Sequence, residues 1–163
     1  MTADSRARLV RAHAIASFAA VLILASFWTS TVVSELFFDW AAVGWVKTAI
    51  VGAIPFLMVA LATAGATGSR LVPAPTRGLP KRKLQRLRVI ASNGMLCLVP
   101  CAVILWQLSR QAEPSGWFHG VQALELAAGA VNLTLIGLNV RDGRRLGRPR
   151  RAPVEASPSP SST

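Results

Sequence analysis

Charge is what this sequence has least of. Only 15% of its 163 residues are Asp, Glu, Lys or Arg, against about 25% in an ordinary soluble domain. With 52% hydrophobic residues and a mean hydropathy of +0.44, that scarcity excludes a conventional soluble fold. Acidic residues are the scarcer sign, 7 against 18 basic, for a net charge of +11. Motifs that carry chemistry are missing too. There is no Gly-rich phosphate loop, no clustered Cys/His zinc spacing and no Ser/His/Asp set at one plausible depth. Nothing therefore points to a nucleotide-binding protein, a zinc protein or a hydrolase, and the chain reads as non-enzymatic rather than enzymatic. No cysteine follows the first apolar run closely, which argues against lipoprotein processing. There is no internal repeat, and the inverted repeat of many transporters is absent.

What the sequence has is four apolar runs. No charged residue lies between Arg11 and Glu35, between Lys47 and Arg70, or between Arg88 and Arg110, and only Glu125 breaks the stretch from Glu113 to Arg141. A bilayer core requires about 20 residues of helix at 1.5 Å each, and each run exceeds that length. The first is too long for the apolar part of a signal peptide, and Leu24-Ala25-Ser26 is a poor cleavage site, so a retained span is expected. The expectation is all-α: an integral-membrane four-helix up-down bundle. A basic segment 1–11 leads into a membrane domain 12–143, with spans at about 12–34, 46–68, 89–109 and 116–140. A basic, then Pro/Ser-rich disordered tail, 144–163, follows.

Sixteen of the 18 basic residues fall before span one, between spans two and three, or after span four; only Lys47 and Arg110 lie on the opposite side. Basic residues collect on the cytoplasmic side, so both termini are expected in the cytoplasm of a multi-pass bacterial inner (plasma) membrane protein. The net charge is then a topology signal, and nucleic acid is not an expected partner. The same basic loop and tail would attract anionic lipid headgroups. Trp40, Trp45, Trp106 and Trp117 fall at the outer ends of the spans, as aromatic belts do. Short outer turns, Leu36–Gly44 and Gln111–Gly116, make two helical hairpins. The longer connection is expected to be irregular over Leu71–Pro80 and helical from Lys81.

Candidate sites are few. Gln122, Glu125, Gly129, Asn132, Ile136 and Asn139 recur at spacings of three and four, a single seam at the coiled-coil period. Such a polar stripe must face other helices or water. Glu125, Gln122, Asn132 and Asn93 are the candidate intramembrane polar site. Glu125 is about 15 Å below the outer boundary. Desolvation is expected to keep its carboxyl protonated and donating a hydrogen bond, and no cation is expected at that depth, since Lys47 is placed nearer the surface. Pro55 and Pro100, at similar depth, free the carbonyls of Val51 and Leu96, which would complete a polar layer. Gly52, Gly65, Gly68, Gly129 and Gly137 suit close helix approach. His13 and His119 suggest haem b, but they belong to opposite ends of the membrane, about 30 Å apart, so no cofactor is expected. Cys97 and Cys101, at i and i+4, give too few ligands for a closed metal site and read as small packing residues.

The stretches RVIASNGMLCLVPCA (Arg88 to Ala102) and VQALELAAGAVNLTLIGLNVRDG (Val121 to Gly143) resemble those of small uncharacterised bacterial four-span inner-membrane proteins. The resemblance covers the four spans and excludes the tail. It implies the fold and no activity. The pattern differs from small multidrug transporters, whose essential acid lies in the first span; here the intramembrane acid lies in the fourth. Three functions are consistent with these residues. The first is an accessory or structural membrane protein, as a homo-oligomer or within a larger complex. The second is a proton-coupled carrier of a small solute or ion using Glu125. The third is a redox protein holding haem or quinone.

Overall fold

The computed structural model describes residues 2–71 and 79–146, with side chains described for 2–71 and 85–142. Residues 72–78, where the connection is expected to be irregular, the side chains of 79–84 and 143–146, and the tail beyond Leu146 lie outside the described residues. All regular structure among the described residues is helical: α1 (Ala3–Phe37), α2 (Trp40–Leu71), α3 (Leu79–Asn93), a π-helical stretch (Gly94–Leu98), α4 (Val99–Leu108) and α5 (Gly116–Leu146).

Local chemistry sets the helix starts. Thr2 Oγ1 accepts the Ser5 N–H, Asp39 Oδ1 the Ala42 N–H and Ser115 Oγ the Phe118 N–H. Each is a short polar side chain satisfying an orphan donor of the first turn. Asp39 allows α2 to start at Trp40, so only residues 38–39 separate α1 from α2, a tighter turn than the expected Leu36–Gly44. Helix α5 runs on to Leu146, so the first residues of the expected tail are helical.

Helix α3, the π-helical stretch and α4 form one continuous rod, and Pro100 explains the change of pitch. Proline offers no N–H and its ring crowds the carbonyl four residues back. The chain widens by one residue just before it, and the Val99 N–H bonds to Gly94 O, an i to i−5 bond.

Among the described residues, four helices are long and apolar enough to cross a membrane: Ala3–Phe37, Trp40–Leu71, Gln85–Leu108 and Gly116–Asp142. Their burial is inverted relative to a soluble protein. Leu96 is 78% exposed and Phe37 76%, whereas Lys47 is 1% exposed. Apolar residues outside and a charge inside suit a hydrocarbon solvent, where helices associate through packing and polar contacts. Among the described residues, α1 packs on α2 and α5, α2 also on α4, and α5 also on α3 and α4, with no close backbone approach across either diagonal. The four spans thus form a ring around a shared centre. His13, early in α1, meets Ala64 and Thr67 late in α2, while Thr31, late in α1, meets Lys47 early in α2; the two helices are antiparallel. One end of the ring holds the short turns. The other holds the start of α1 and the end of α5.

Candidate functional site

The only fully buried charged side chain among the described residues is Lys47. It lies two turns into α2, about 10 Å from the helix start, on the face that also buries Val43, Ile50 and Leu57. An ammonium has three donors and no acceptor. Those of Lys47 go to Gln122 Oε1, to Glu125 Oε2 at 3.0 Å and to Thr31 Oγ1 at 3.4 Å. Glu35 Oε1 is 3.7 Å away as a second ionic partner. Gln122 Nε2 also donates to Glu125 Oε2, at 3.3 Å, so the amide bridges lysine and carboxylate. The Phe118 ring centroid is 6.0 Å from Lys47 Nζ, and Phe118 packs with Val43 and Leu105 to close the turn end of the site.

Three spans build this cluster: α1 supplies Thr31 and Glu35, α2 Lys47, and α5 Gln122 and Glu125. Helices α2 and α5 are diagonal, with no close backbone approach among the described residues. A lysine, a compact charge on a flexible four-carbon stem, spans that gap where a shorter side chain would fall short. The expectation that Glu125 lacks a cation is thereby corrected. The depth of Lys47 was underestimated because α2 begins at Trp40, six residues before the expected span. Pro55 and Pro100 do not complete the layer; both are exposed on the outside. Counted with histidine and thiols neutral, the cluster has one positive and two negative groups, and Glu35 Oε1 is buried without a hydrogen bond.

The residues expected to form one polar site divide into two. Gln122 and Glu125 join Lys47. Asn93 and Asn132 make a separate clamp: Asn93 Nδ2 donates to Ala128 O at 3.0 Å and to Asn132 Oδ1 at 2.9 Å, and Asn132 Nδ2 donates to Ile90 O at 3.4 Å. The clamp fastens α3 to α5 where the π-helical stretch begins. Between cluster and clamp is a cavity of about 310 Å³ reached by all four spans, with Glu125, Thr31 and Asn132 in an otherwise largely apolar wall.

The α5 seam does face the interior. Gln122 and Asn132 are each 2% exposed and Asn139 7%. A Cβ on Gly129 would lie 2.9 Å from Trp28 Cδ1, closer than real contacts allow, and the Trp28 indole donates to Leu126 O at 3.1 Å. Glycine is therefore what lets Trp28 of α1 lie on α5. Gly68 has the same role against His13, at 3.0 Å. Gly52, Gly65 and Gly137 have nothing within 4 Å, so they do not serve close approach among the described residues.

The low-ranking ligand candidates stay apart. His13 Nδ1 is 3.0 Å from Ala64 O and 3.1 Å from Thr67 Oγ1, which makes it a latch between α1 and α2. His119 is exposed beside Phe118 at the turn end. Cys101 is buried and Cys97 half-buried, both as free thiols. Among the described residues, no group of three or more His, Cys, Asp or Glu is placed to hold a metal ion.

At the other end, Arg86 Nη1 donates to Asp142 Oδ2 at 2.6 Å, and Arg141 Nε is 3.6 Å from Asp142 Oδ1. Sequence reasoning missed both Asp142 and Lys47 as site residues. Asp142 lies three residues after Asn139, on the same side of α5, a signal that could have found it. Lys47 had a weaker signal, as one of two basic residues on the side otherwise free of them.

Comparison with family models, curated proteins and solved structures gives no match to this chain.

Proposed function

We propose that this protein is a proton-coupled carrier, non-enzymatic, in the bacterial inner membrane. Its four spans run up and down with both termini in the cytoplasm, where the basic loop and tail meet anionic headgroups. The observation that carries the reading is the composition of the cluster around buried Lys47, one ammonium against two half-buried carboxylates. A surplus charge in a low-dielectric interior is costly. One carboxyl must take a proton or a cation to reach neutrality, which is the property a coupling site requires. An intramembrane ionisable group is a functional site by default. A purely accessory role, met by helix–helix hydrogen bonds alone, has no use for the second acid at Glu35.

Infrared difference spectra of the protein in lipid, recorded between alkaline and acidic buffer, test the proton site. A carboxyl C=O band should appear on acidification and be lost or shifted in Glu35→Gln and Glu125→Gln. Identical spectra in wild type and both variants would make the cluster structural and return the protein to an accessory role. Orientation is tested separately. In a background lacking Cys97 and Cys101, Ser159→Cys should resist an impermeant thiol reagent in intact cells. Efficient labelling from outside would reverse the topology.

A further inference from the structure

We infer that the cavity between the four spans binds a small organic cation with apolar substituents, which replaces the proton on the Glu35–Glu125 pair. The inference rests on the proton-carrier reading and supplies its substrate class.

Size comes first. At about 310 Å³ the space is roughly twice an apolar cavity of about 150 Å³ that holds benzene. It can take a body of one ring with several alkyl carbons. Leu24, Phe27, Ile54, Leu57 and Leu98 are among the residues that line it, so the ligand is largely hydrocarbon. A site of this kind gains orientation from a few polar groups in an apolar wall.

Most of the polar groups in the lining are already committed. Trp28 Nε1 bonds to Leu126 O, Thr31 Oγ1 accepts from Lys47, and Asn132 is held by Asn93 and Ile90. Glu125 differs. Both of its hydrogen bonds fall on Oε2, and its side chain retains 13% exposure. Its Oε1 is the carboxylate oxygen left for an occupant.

Charge selects the occupant. The groups that bear on this carboxylate are Lys47 from α2, Glu35 from α1 and Cys101 from α4, and His119 lies within electrostatic reach of Glu35. With histidine and thiol neutral the sum is one negative charge. A monovalent cation cancels it, a neutral hydrocarbon leaves it uncompensated, and an anion doubles it. The Phe27 and Trp28 rings in the lining also favour a cation over an anion. The exchange balances: the organic cation enters, the carboxyl O–H breaks, and the proton leaves to water, with the cluster neutral before and after. Two ligands that cannot occupy the site together are the basis of coupled exchange.

The test uses the full chain in phosphatidylcholine nanodiscs and tritiated benzyltriethylammonium, whose charge is fixed at every pH. Binding should tighten as pH rises, by about tenfold per unit while the displaced proton is bound. Glu125→Gln should abolish the pH dependence and weaken binding at least about tenfold. Met58→Trp, which fills the cavity, should block binding yet leave the infrared carboxyl band in place. His119→Ala should keep the wild-type pH dependence; its loss would identify His119 as the titrating group and overturn the inference. Equal competition by uncharged biphenyl, with Glu125→Gln still binding, would make the cavity a site for neutral apolar molecules and also overturn it. A carboxyl band without cation binding refutes this inference alone. Absence of the band refutes the proton-carrier reading with it.

Discussion

The two ends of the helices each set acids against bases, but they differ in stoichiometry and in which sign is buried. At the turn end, Lys47 is 1% exposed and faces two carboxylates, Glu35 and Glu125. At the other end, Asp142 meets two guanidinium groups, and these stay solvated: the Arg86 side chain is 24% exposed and Arg141 57%. The described arginines beside Asp142 are open to water, and the Arg86–Asp142 pair fastens α3 to α5. The Lys47 cluster has an acid in excess around a fully buried ammonium, and on the proposed reading a proton or a cation meets that excess. Similar residue types thus meet in opposite arrangements at the two ends, a buried base with half-buried acids at one and a buried acid with solvated bases at the other.

The sharpest way to break this contrast is Lys47→Met. Removing one partner of a buried ion pair leaves uncompensated charge, at a cost of about 3–5 kcal/mol. Reversible unfolding in mild detergent should show that loss, and adding Glu35→Gln and Glu125→Gln should recover most of it. A loss well below about 1 kcal/mol would place the cluster in a solvated setting like that of Asp142.

Gly129→Leu comes next. Its side chain must displace Trp28, and overpacking of this kind costs about 1–3 kcal/mol. Leu135→Phe, off the α5 seam, should cost less in the same assay. Equal thermal shifts would mean that the approach of α1 to α5, which holds Glu35 near Glu125, does not depend on glycine.

Asp142→Asn should have a smaller effect, about 1 kcal/mol, because the arginines it releases can remain hydrated. Added salt should shrink the difference between wild type and variant here, and leave the Lys47→Met difference nearly unchanged. The smallest effect is expected for Thr31→Val, below about 1 kcal/mol, since the bond it removes is long at 3.4 Å. A larger effect would make Thr31 a principal ligand of Lys47.

How much of this was legible in the sequence varied with how local the cause was. Long charge-free runs showed four apolar helices. The three-and-four spacing from Gln122 to Asn139 showed the buried face of α5. Gly129 could be singled out because it sits in that seam, yet Gly52, Gly65 and Gly137 looked equally suited and touch nothing within 4 Å among the described residues. Small size permits a close approach without causing one. The candidate polar site was legible as residues but not as partners. Gln122 and Glu125 turned out to serve Lys47, while Asn93 and Asn132 serve each other.

Length, apolarity and the α5 periodicity were determined by the sequence alone, because a helix's length and the face a residue occupies follow from rise and turn along one stretch of chain. The pairing of Lys47 with Glu35, Gln122 and Glu125 was decided only by tertiary structure. Those residues are separated by up to 90 positions and come from three helices, two of them diagonal across the ring. Counting along the chain places Lys47 near a boundary. Only the early start of α2 at Trp40, after Asp39, and the gap between α2 and α5 that a lysine is long enough to cross, turn it inward to the acids.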